Sequence, residues 1–216
     1  MTAGPIFSKL LVFSVPLILS SLLQLLFNAA DVIVVGRYVG SNALAAVGST
    51  APLINLLVNL FIGLTVGANV VAAGFFGAGD NSGVERTVQT SYCLSAIGGI
   101  ILTFAGVIFS PQILILMGSP EDVLPLSVLY LRIYFGGIIP TVIYNFGASL
   151  LRAKGDTRRP LYILFAAGII NVILNLVFVI FFDFGVAGVS LATVVSQTFS
   201  AVCVTFLLMR ENDCFR

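Results

Sequence analysis

The chain has 216 residues, of which 59% are hydrophobic and only 9% are charged, and its mean hydropathy is +1.12. A soluble domain carries about 25% charged residues, so this chain has too few to build a water-exposed surface. Its net charge of +1 gives no basic field that would attract nucleic acid. These values exclude a soluble or nucleic-acid-binding protein and indicate a protein that is surrounded by lipid.

Residue types needed for common enzymatic chemistry are scarce. The chain contains no histidine, which is the commonest general base and a frequent metal ligand. Cys93, Cys203 and Cys214 lie in or beside apolar runs and lack a C-x-x-C spacing. This distribution predicts buried, inert thiols instead of disulfides or a zinc site. We therefore expect neither an enzyme nor a cofactor-binding protein.

Six apolar stretches predict six transmembrane helices. A helix needs about 20 apolar residues to cross a bilayer, and charges and turn residues divide the chain accordingly. In chain order the predicted spans cover residues 10–36, 46–76, 88–109, 127–151, 161–182 and 186–209. The first is too long for a signal peptide, whose apolar core is about 7–15 residues. The stretches do not alternate as barrel strands do, so we predict an all-α membrane bundle.

The turns between these spans are marked by glycine, proline and charge. They are predicted at residues 77–83, 111–125, 152–160 and 183–185. Basic residues on the side of the N-terminus are Lys9, Arg86, Arg152, Lys154, Arg158, Arg159, Arg210 and Arg216. The other side holds only Arg37, with Arg132 near the end of the fourth span. The positive-inside rule then predicts a plasma-membrane protein with both termini in the cytoplasm.

The first span carries a polar stripe. Gln24, Asn28 and Asp31 are spaced i, i+4, i+7 and share one helical face. Within a bilayer these side chains must face a neighbouring helix or a water-filled cavity. The amides could simply hold helices together by interhelical hydrogen bonds. An acid inside a span is by default a functional residue, which singles out Asp31.

Later spans add polar residues that could meet this stripe. They are Asn55, Asn59, Asn145, Asn171, Asn175, Ser190, Thr193, Gln197 and Ser200. In the predicted topology, Asp31, Asn175 and Thr193 lie at similar depth in the outer half of the membrane. Helices from opposite ends of the chain thus contribute polar groups at one level, which favours a single shared site.

Two prolines lie inside predicted spans. Pro16 removes the backbone hydrogen bond to the carbonyl of Val12 and permits a bend in the first helix, and Pro140 does the same in the fourth. Membrane helices tolerate such prolines, so tolerance alone would explain them. The functional alternative is that Pro16 is a hinge that reshapes the cavity when Asp31 changes charge.

Four segments resemble the multidrug and toxic compound extrusion (MATE) family. They are PLILSS, FNAAD and VGR within residues 16–37 followed by ALAAVG at 43–48, LRAKGDTRRP at 151–160, NVILN at 171–175, and GVAGVSLAT at 185–193. Their order along nearly the whole chain makes the resemblance specific, although no single motif would suffice.

The resemblance implies a function. Members of that family have twelve helices in two lobes and export organic cations and other amphipathic compounds by proton or sodium antiport. This chain would be the N-terminal lobe, which needs a second lobe or a homodimer partner. Asp31 would be the ion-coupling acid, and Asn171, Thr193 and Asn145 match cavity positions. Asn175 departs from the pattern, because family members often carry aspartate there and an amide cannot titrate.

Together these observations predict an exporter of a small amphipathic substrate. Asp31 would take a proton, or would bind Na⁺ with neutral oxygens from Asn171, Asn175 and Thr193, the ligand type that hard cations prefer. The side chains expected to line the substrate cavity are those of Gln24, Asn28, Asn145 and Gln197.

Two alternatives remain open. The chain could be an inactive fragment or a structural subunit, since the tail at residues 209–216 resembles the start of a linker between lobes. It could also be a flippase for lipid-linked oligosaccharides, although such proteins usually present a basic cavity and Arg132 is the only basic residue that could lie inside a span.

Overall fold

The computed structural model describes residues 6–211 and 214–215 of the chain, with side chains from residue 10 onward. The helices are α1 (Ile6–Tyr38), α2 (Ser41–Ala78), α3 (Asn81–Leu116), α4 (Leu124–Gly136), α5 (Ile138–Ala153), α6 (Arg158–Leu176), which continues as a π-helical segment (Val177–Phe181), and α7 (Gly185–Arg210). No strand occurs among the described residues, so the predicted all-α fold is confirmed.

Five of these helices are long and apolar enough to cross a membrane, and α4 with α5 forms a sixth span bent by 50°. Much of the apolar surface is exposed: Leu25, Leu56 and Phe104 have exposed fractions of 65%, 68% and 64%. Such a surface is stable only when lipid covers it. The described residues therefore form the membrane bundle that the composition predicts.

Three predicted turns are shorter than expected because the helices extend further. The turn at 152–160 covers only 154–157, between the end of α5 and the start of α6. The prediction of a turn at 111–125 is wrong at its start. Helix α3 continues through Pro111 to Leu116, and the turn covers only 117–123. Membrane helices accommodate proline through neighbouring groups. Between α2 and α3 only Gly79 and Asp80 remain. Gly79 adopts a left-handed φ of 75°, and the Asp80 carboxylate accepts a hydrogen bond from Gly83 N at 3.0 Å, which caps α3.

The fourth span breaks as its proline predicts. Pro140 lies in the first turn of α5, and its missing N–H and its ring disfavour a helical bond to the carbonyl of Gly136. Helix α4 therefore ends at Gly136, and the chain turns by 50° at Gly137. The first proline behaves differently, because α1 runs without interruption through Pro16.

Helix α1 is the least embedded span. Only 11% of the most apolar 18-residue window of α1 is buried inside the bundle, against 39% of the corresponding window in Arg158–Phe181. It packs chiefly against α6. The rest of the bundle is held by interior clusters in which Phe135, Phe146 and Leu131 are almost fully buried. One prediction about the thiols is wrong, since Cys93 is exposed on the outside of α3, where a bilayer would cover it.

The end of α7 is fastened to the α5–α6 loop. The Glu211 carboxylate accepts hydrogen bonds from Lys154 and Arg159, and Arg159 Nε also lies 2.9 Å from Asp156 Oδ2. Phe215 is fully buried, with its ring centroid 5.3 Å from that of Phe76.

Most basic residues that were predicted to be cytoplasmic gather at this end of the bundle. Arg216 and the side chain of Lys9 lie outside the described residues. Which side of the membrane this end faces stays a prediction.

The ion pairs of Glu211 make the stability of the protein depend on pH. The hydrogen bond from Lys154, and after it that from Arg159, holds the pKa of Glu211 below its ordinary value of 4.5. The stabilisation is therefore present at neutral pH and is lost as the pH falls below 4.5 through the lower folded value. We expect Glu211→Gln to lower the thermal unfolding midpoint at pH 7 and to leave it unchanged at a pH below that folded value.

Circular dichroism melting in detergent measures this midpoint. The control is Glu121→Gln, which neutralises an exposed carboxylate in the turn between α3 and α4 and should have little effect at either pH. A destabilisation by Glu211→Gln that is equally large in acid would contradict the ion-pair origin.

Candidate functional site

A chain of hydrogen bonds joins three helices around Asp31. The Asp31 carboxylate on α1 accepts a hydrogen bond from Asn175 Nδ2 on α6. Asn175 Nδ2 also donates to Asn171 Oδ1 at 3.2 Å. Asn171 Nδ2 donates in turn to Thr193 Oγ1 on α7 at 3.4 Å, and Thr193 Oγ1 donates to the carbonyl of Val189 at 3.1 Å. The four residues predicted to bind the coupling ion are thus brought together.

Local helix geometry explains the arrangement. Asn171 and Asn175 are one turn apart, so both amides lie on the face of α6 that meets α1 and α7. Asn175 is completely buried and Asn171 is 5% exposed. Immediately after this pair, α6 changes into the π-helical segment, a feature that is often found next to functional sites. The polar pair therefore lies in the last two regular turns of the helix.

Two buried oxygen atoms at the site lack a hydrogen-bond partner among the described residues. They are Asn175 Oδ1 and Gln197 Oε1. Buried acceptors are nearly always satisfied in folded proteins, and each exception needs an explanation. Both oxygens are neutral, and neutral oxygens are ligands that suit a hard cation or water. Gln197 lines the two cavities that border Asp31, whereas Asn175 lines neither.

Two cavities flank Asp31. The smaller, of about 60 Å³, lies between α1, α6 and α7 and is bordered by Phe27, Gly168 and Asn171. The larger, of about 280 Å³, also borders Asp31 and reaches α2, α4 and α5. Residues that line both cavities are Gln24, Asn28, Asp31, Thr193 and Gln197. Asp31 thus borders both chambers.

The larger cavity has an aromatic and amide lining. Predicted members are Asn55 and Asn145, and Asn145 Nδ2 donates to the carbonyl of Thr141 at 2.9 Å. Tyrosines that the sequence reasoning missed are Tyr130, Tyr134 and Tyr144. The rings of Tyr130 and Tyr134 are stacked, with centroids 6.4 Å apart. The i, i+4 spacing of Tyr130 and Tyr134 in a mostly apolar helix was the signal that could have revealed this pair.

Other polar residues of the spans lie elsewhere. Asn59 is exposed on α2. Ser190 Oγ donates to the carbonyl of Tyr130 at 3.0 Å, and Ser200 Oγ donates to that of Ser196 at 3.2 Å, so both satisfy backbone carbonyls of the bundle. Arg132 is exposed on α4 and borders neither of the two cavities.

The fold and the polar cavities around Asp31 define a helical membrane bundle of the kind found in transporters. The MatE family model matches residues 16–177. The chain therefore belongs to the MATE family, and since this is a family of transporters, the prediction that the chain is not an enzyme is confirmed.

Similar proteins are multidrug resistance and export proteins. The probable multidrug resistance protein YoeA of Bacillus subtilis (strain 168) is 33% identical over 204 residues, which are 93% of this chain and 44% of that protein. The multidrug export protein MepA of Staphylococcus aureus (strain MRSA252) is 24% identical over 210 residues, covering 97% of this chain and 47% of MepA.

Solved structures of MATE transporters share the fold. One in a bent conformation has a TM-score of 0.91 and 28% identity, and the match covers 98% of this chain and 47% of that one. An inward-facing MATE structure has a TM-score of 0.84 and 29% identity, covering 89% and 43%. The chain thus spans about half the length of the relatives it matches.

Loss of the Asn175 amide should destabilise the bundle. Asn175→Leu keeps a similar volume but removes the hydrogen bond to Asp31 and leaves a buried carboxylate oxygen without its donor. We expect a loss of about 1–3 kcal/mol in the free energy of unfolding. Thermal or denaturant unfolding in detergent, followed by circular dichroism, measures the change.

The matched control is Asn59→Leu, the same substitution at an exposed amide of α2. It should be close to neutral, because a leucine there contacts lipid or detergent. Equal effects of the two substitutions would mean that the bond from Asn175 to Asp31 adds nothing to stability.

Proposed function

We propose that this chain is one lobe of a secondary active antiporter that exports small amphipathic compounds, organic cations above all, in exchange for a proton or Na⁺ bound at Asp31. The observation that carries the proposal is that the Asp31 carboxylate borders two cavities of unequal size. In an exchange of ion for substrate each ligand must change the affinity for the other, and a shared group provides a direct way to do so.

The ion role of Asp31 follows from its surroundings. None of the described residues that line the two cavities is a lysine or an arginine. A carboxylate removed from water is costly unless it takes up a proton or binds a cation. The smaller cavity of about 60 Å³ has room for one ion with a few waters, since a cavity of this measure needs about 10–15 Å³ to hold a water molecule. The oxygens of Asn171, Asn175 and Thr193 supply neutral ligands for Na⁺.

The substrate role belongs to the larger cavity. Its volume of about 280 Å³ is near the lower end of the roughly 300–1,000 Å³ that small-molecule pockets occupy. The stacked rings of Tyr130 and Tyr134 offer faces to a cationic or aromatic compound, and Asp31 offers a negative charge. The amides of Gln24, Asn28, Asn145 and Gln197 provide polar contacts that tolerate different ligands.

Coupling requires that ion and substrate favour different conformations. When Asp31 is neutralised, its attraction to the Asn175 amide weakens, and α1 can move relative to α6. Pro16 supplies a point at which α1 bends without losing a further hydrogen bond. MATE structures in bent and in straight conformations match the chain with TM-scores of 0.91 and 0.88, which supports a movable lobe of this kind.

A partner lobe is part of the proposal. Alternating access arises when one repeat moves against another, and the chain spans about half the length of its relatives. The exposed apolar faces of α1 and α2, which include Leu25, Leu56 and Leu60, suit packing against a second lobe or a second copy of the chain. A basic site for a lipid-linked pyrophosphate is disfavoured, because the two cavities lack basic lining residues in the described part of the chain.

Replacing the coupling acid should abolish ion-driven export without unfolding the protein. Asp31→Asn keeps the size of the side chain and its hydrogen bonding to Asn175 but can neither carry a negative charge nor take up a proton. In cells that lack other pumps, we expect ethidium efflux driven by a proton or sodium gradient to fall to background. Amounts of membrane-inserted protein should stay equal.

Asp183→Asn is the matched control. Asp183 has a φ of 53° in the turn before α7 and lines neither of these cavities, and asparagine tolerates that backbone conformation. It should export normally. Unchanged efflux from Asp31→Asn would refute the assignment of the coupling acid.

The need for a partner can be tested by crosslinking in membranes. Leu60 on α2 and Ile101 on α3 are both 61% exposed, so each can be changed to cysteine in a chain whose native cysteines are serine. We expect Leu60→Cys to give covalent dimers of the chain and Ile101→Cys to give none. Monomers alone, together with absent binding of drug or cation, would favour the alternative of a fragment or structural subunit.

A further inference from the structure

A tight contact between α1 and α6 lies one helical turn before Asp31 along α1. Phe27 on α1 packs against Gly168 on α6 so closely that a Cβ atom added to Gly168 would lie 1.8 Å from Phe27 Cε2 and 1.9 Å from Cζ. Real Cβ atoms do not approach other atoms to such distances. Any larger residue at position 168 must therefore displace the ring or the helix that carries it.

This contact fixes the register of two helices that run in the same direction, since α1 is the first span and α6 belongs to the fifth. Phe27 meets Gly168, and one turn further along α1 Asp31 meets Asn175. Leu23, one turn before Phe27, is half-buried against the core cluster that contains Leu164. Along this stretch, α1 is thus held by apolar contacts at Leu23 and Phe27 and by a polar contact at Asp31.

The two kinds of contact respond differently to ions. The bond from Asn175 to Asp31 depends on the charge of the carboxylate, whereas the packing of Phe27 on Gly168 does not. The Phe27 ring and Gly168 also border the smaller cavity, together with Asn171. A displaced ring therefore either fills part of that cavity of about 60 Å³ or separates α1 from α6.

We infer that Gly168 is a positioning residue, and that the seating of Phe27 against it sets the distance between Asp31 and the amides of α6. This inference rests on the proposed role of Asp31 in ion coupling. In this arrangement the contact between Phe27 and Gly168 stays in place as a pivot, while the hydrogen bond between Asn175 and Asp31 breaks and re-forms. The absence of a side chain at position 168 is thus a requirement of the ion site as well as of packing.

The test is a steric rescue. Gly168→Ala should reduce ion-driven ethidium efflux on the order of tenfold, within the range of typical coupling between sites. Adding Phe27→Ala to Gly168→Ala removes the clashing ring and should restore most of the efflux. Gly74→Ala is the control, since it adds the same methyl group to α2 where nothing lies within 4 Å. It should export like the unmodified chain.

A second measurement is independent of transport. In a chain whose native cysteines are serine, the pair Asp31→Cys and Asn175→Cys should form a disulfide rapidly when oxidised in membranes. Gly168→Ala should slow its formation severalfold, and the further change Phe27→Ala should restore it. If the unmodified chain neither exports nor binds drug or cation while this crosslinking pattern holds, the proposed function falls and the positioning role stands.

Two outcomes would overturn the inference. One is normal efflux and normal crosslinking in Gly168→Ala, because the ring would then move aside without consequence. The other is a Gly168→Ala protein that is inserted normally but is not rescued by Phe27→Ala in either assay. In that case the glycine would matter for a reason other than its contact with Phe27.

Discussion

A carboxylate that lies within a lipid-covered helix constrains everything around it. Asp31 cannot rely on bulk water, so its hydrogen bond must come from the protein, and Asn175 provides it. Asn175 is in turn held by Asn171, and Asn171 by Thr193, so that one acid on α1 dictates polar side chains on α6 and α7. The smaller cavity lies where these three helices meet around Asp31, Asn171 and Thr193.

Much of this fold could be read from residue types. Lipid imposes a minimum length on each apolar stretch, so the spans emerge without knowledge of tertiary contacts. The ends were less accurate, because helix boundaries depend on local capping and on how proline is accommodated. Pro111 was expected to begin a turn and instead lies inside α3, whereas Pro140 lies in the first turn of α5 and its span is broken at Gly137.

The candidate site, too, was predicted in part and missed in part. Regular spacing brought out Asp31, Asn171, Asn175 and Thr193, since residues one turn apart share a face whatever the helix packs against. Contacts that depend on the path of a second helix could not be foreseen. A glycine at position 168 is indistinguishable in the sequence from the open glycine at 74, and only the approach of Phe27 separates them. The tyrosines of the larger cavity were missed because aromatic residues are common throughout this chain.

The weak embedding of α1 has an energetic consequence. When a helix moves within the bilayer, apolar contacts with lipid replace most of the apolar contacts that it loses with other helices, because no hydrophobic force drives helices together there. Moving a helix with 11% of its apolar window buried therefore costs little compared with moving one that is buried to 39%. A tenfold difference in ion concentration across the membrane supplies about 1.4 kcal/mol. In the proposed antiport cycle, the helix that bears the acid is therefore the one whose displacement an ordinary ion gradient can most readily drive.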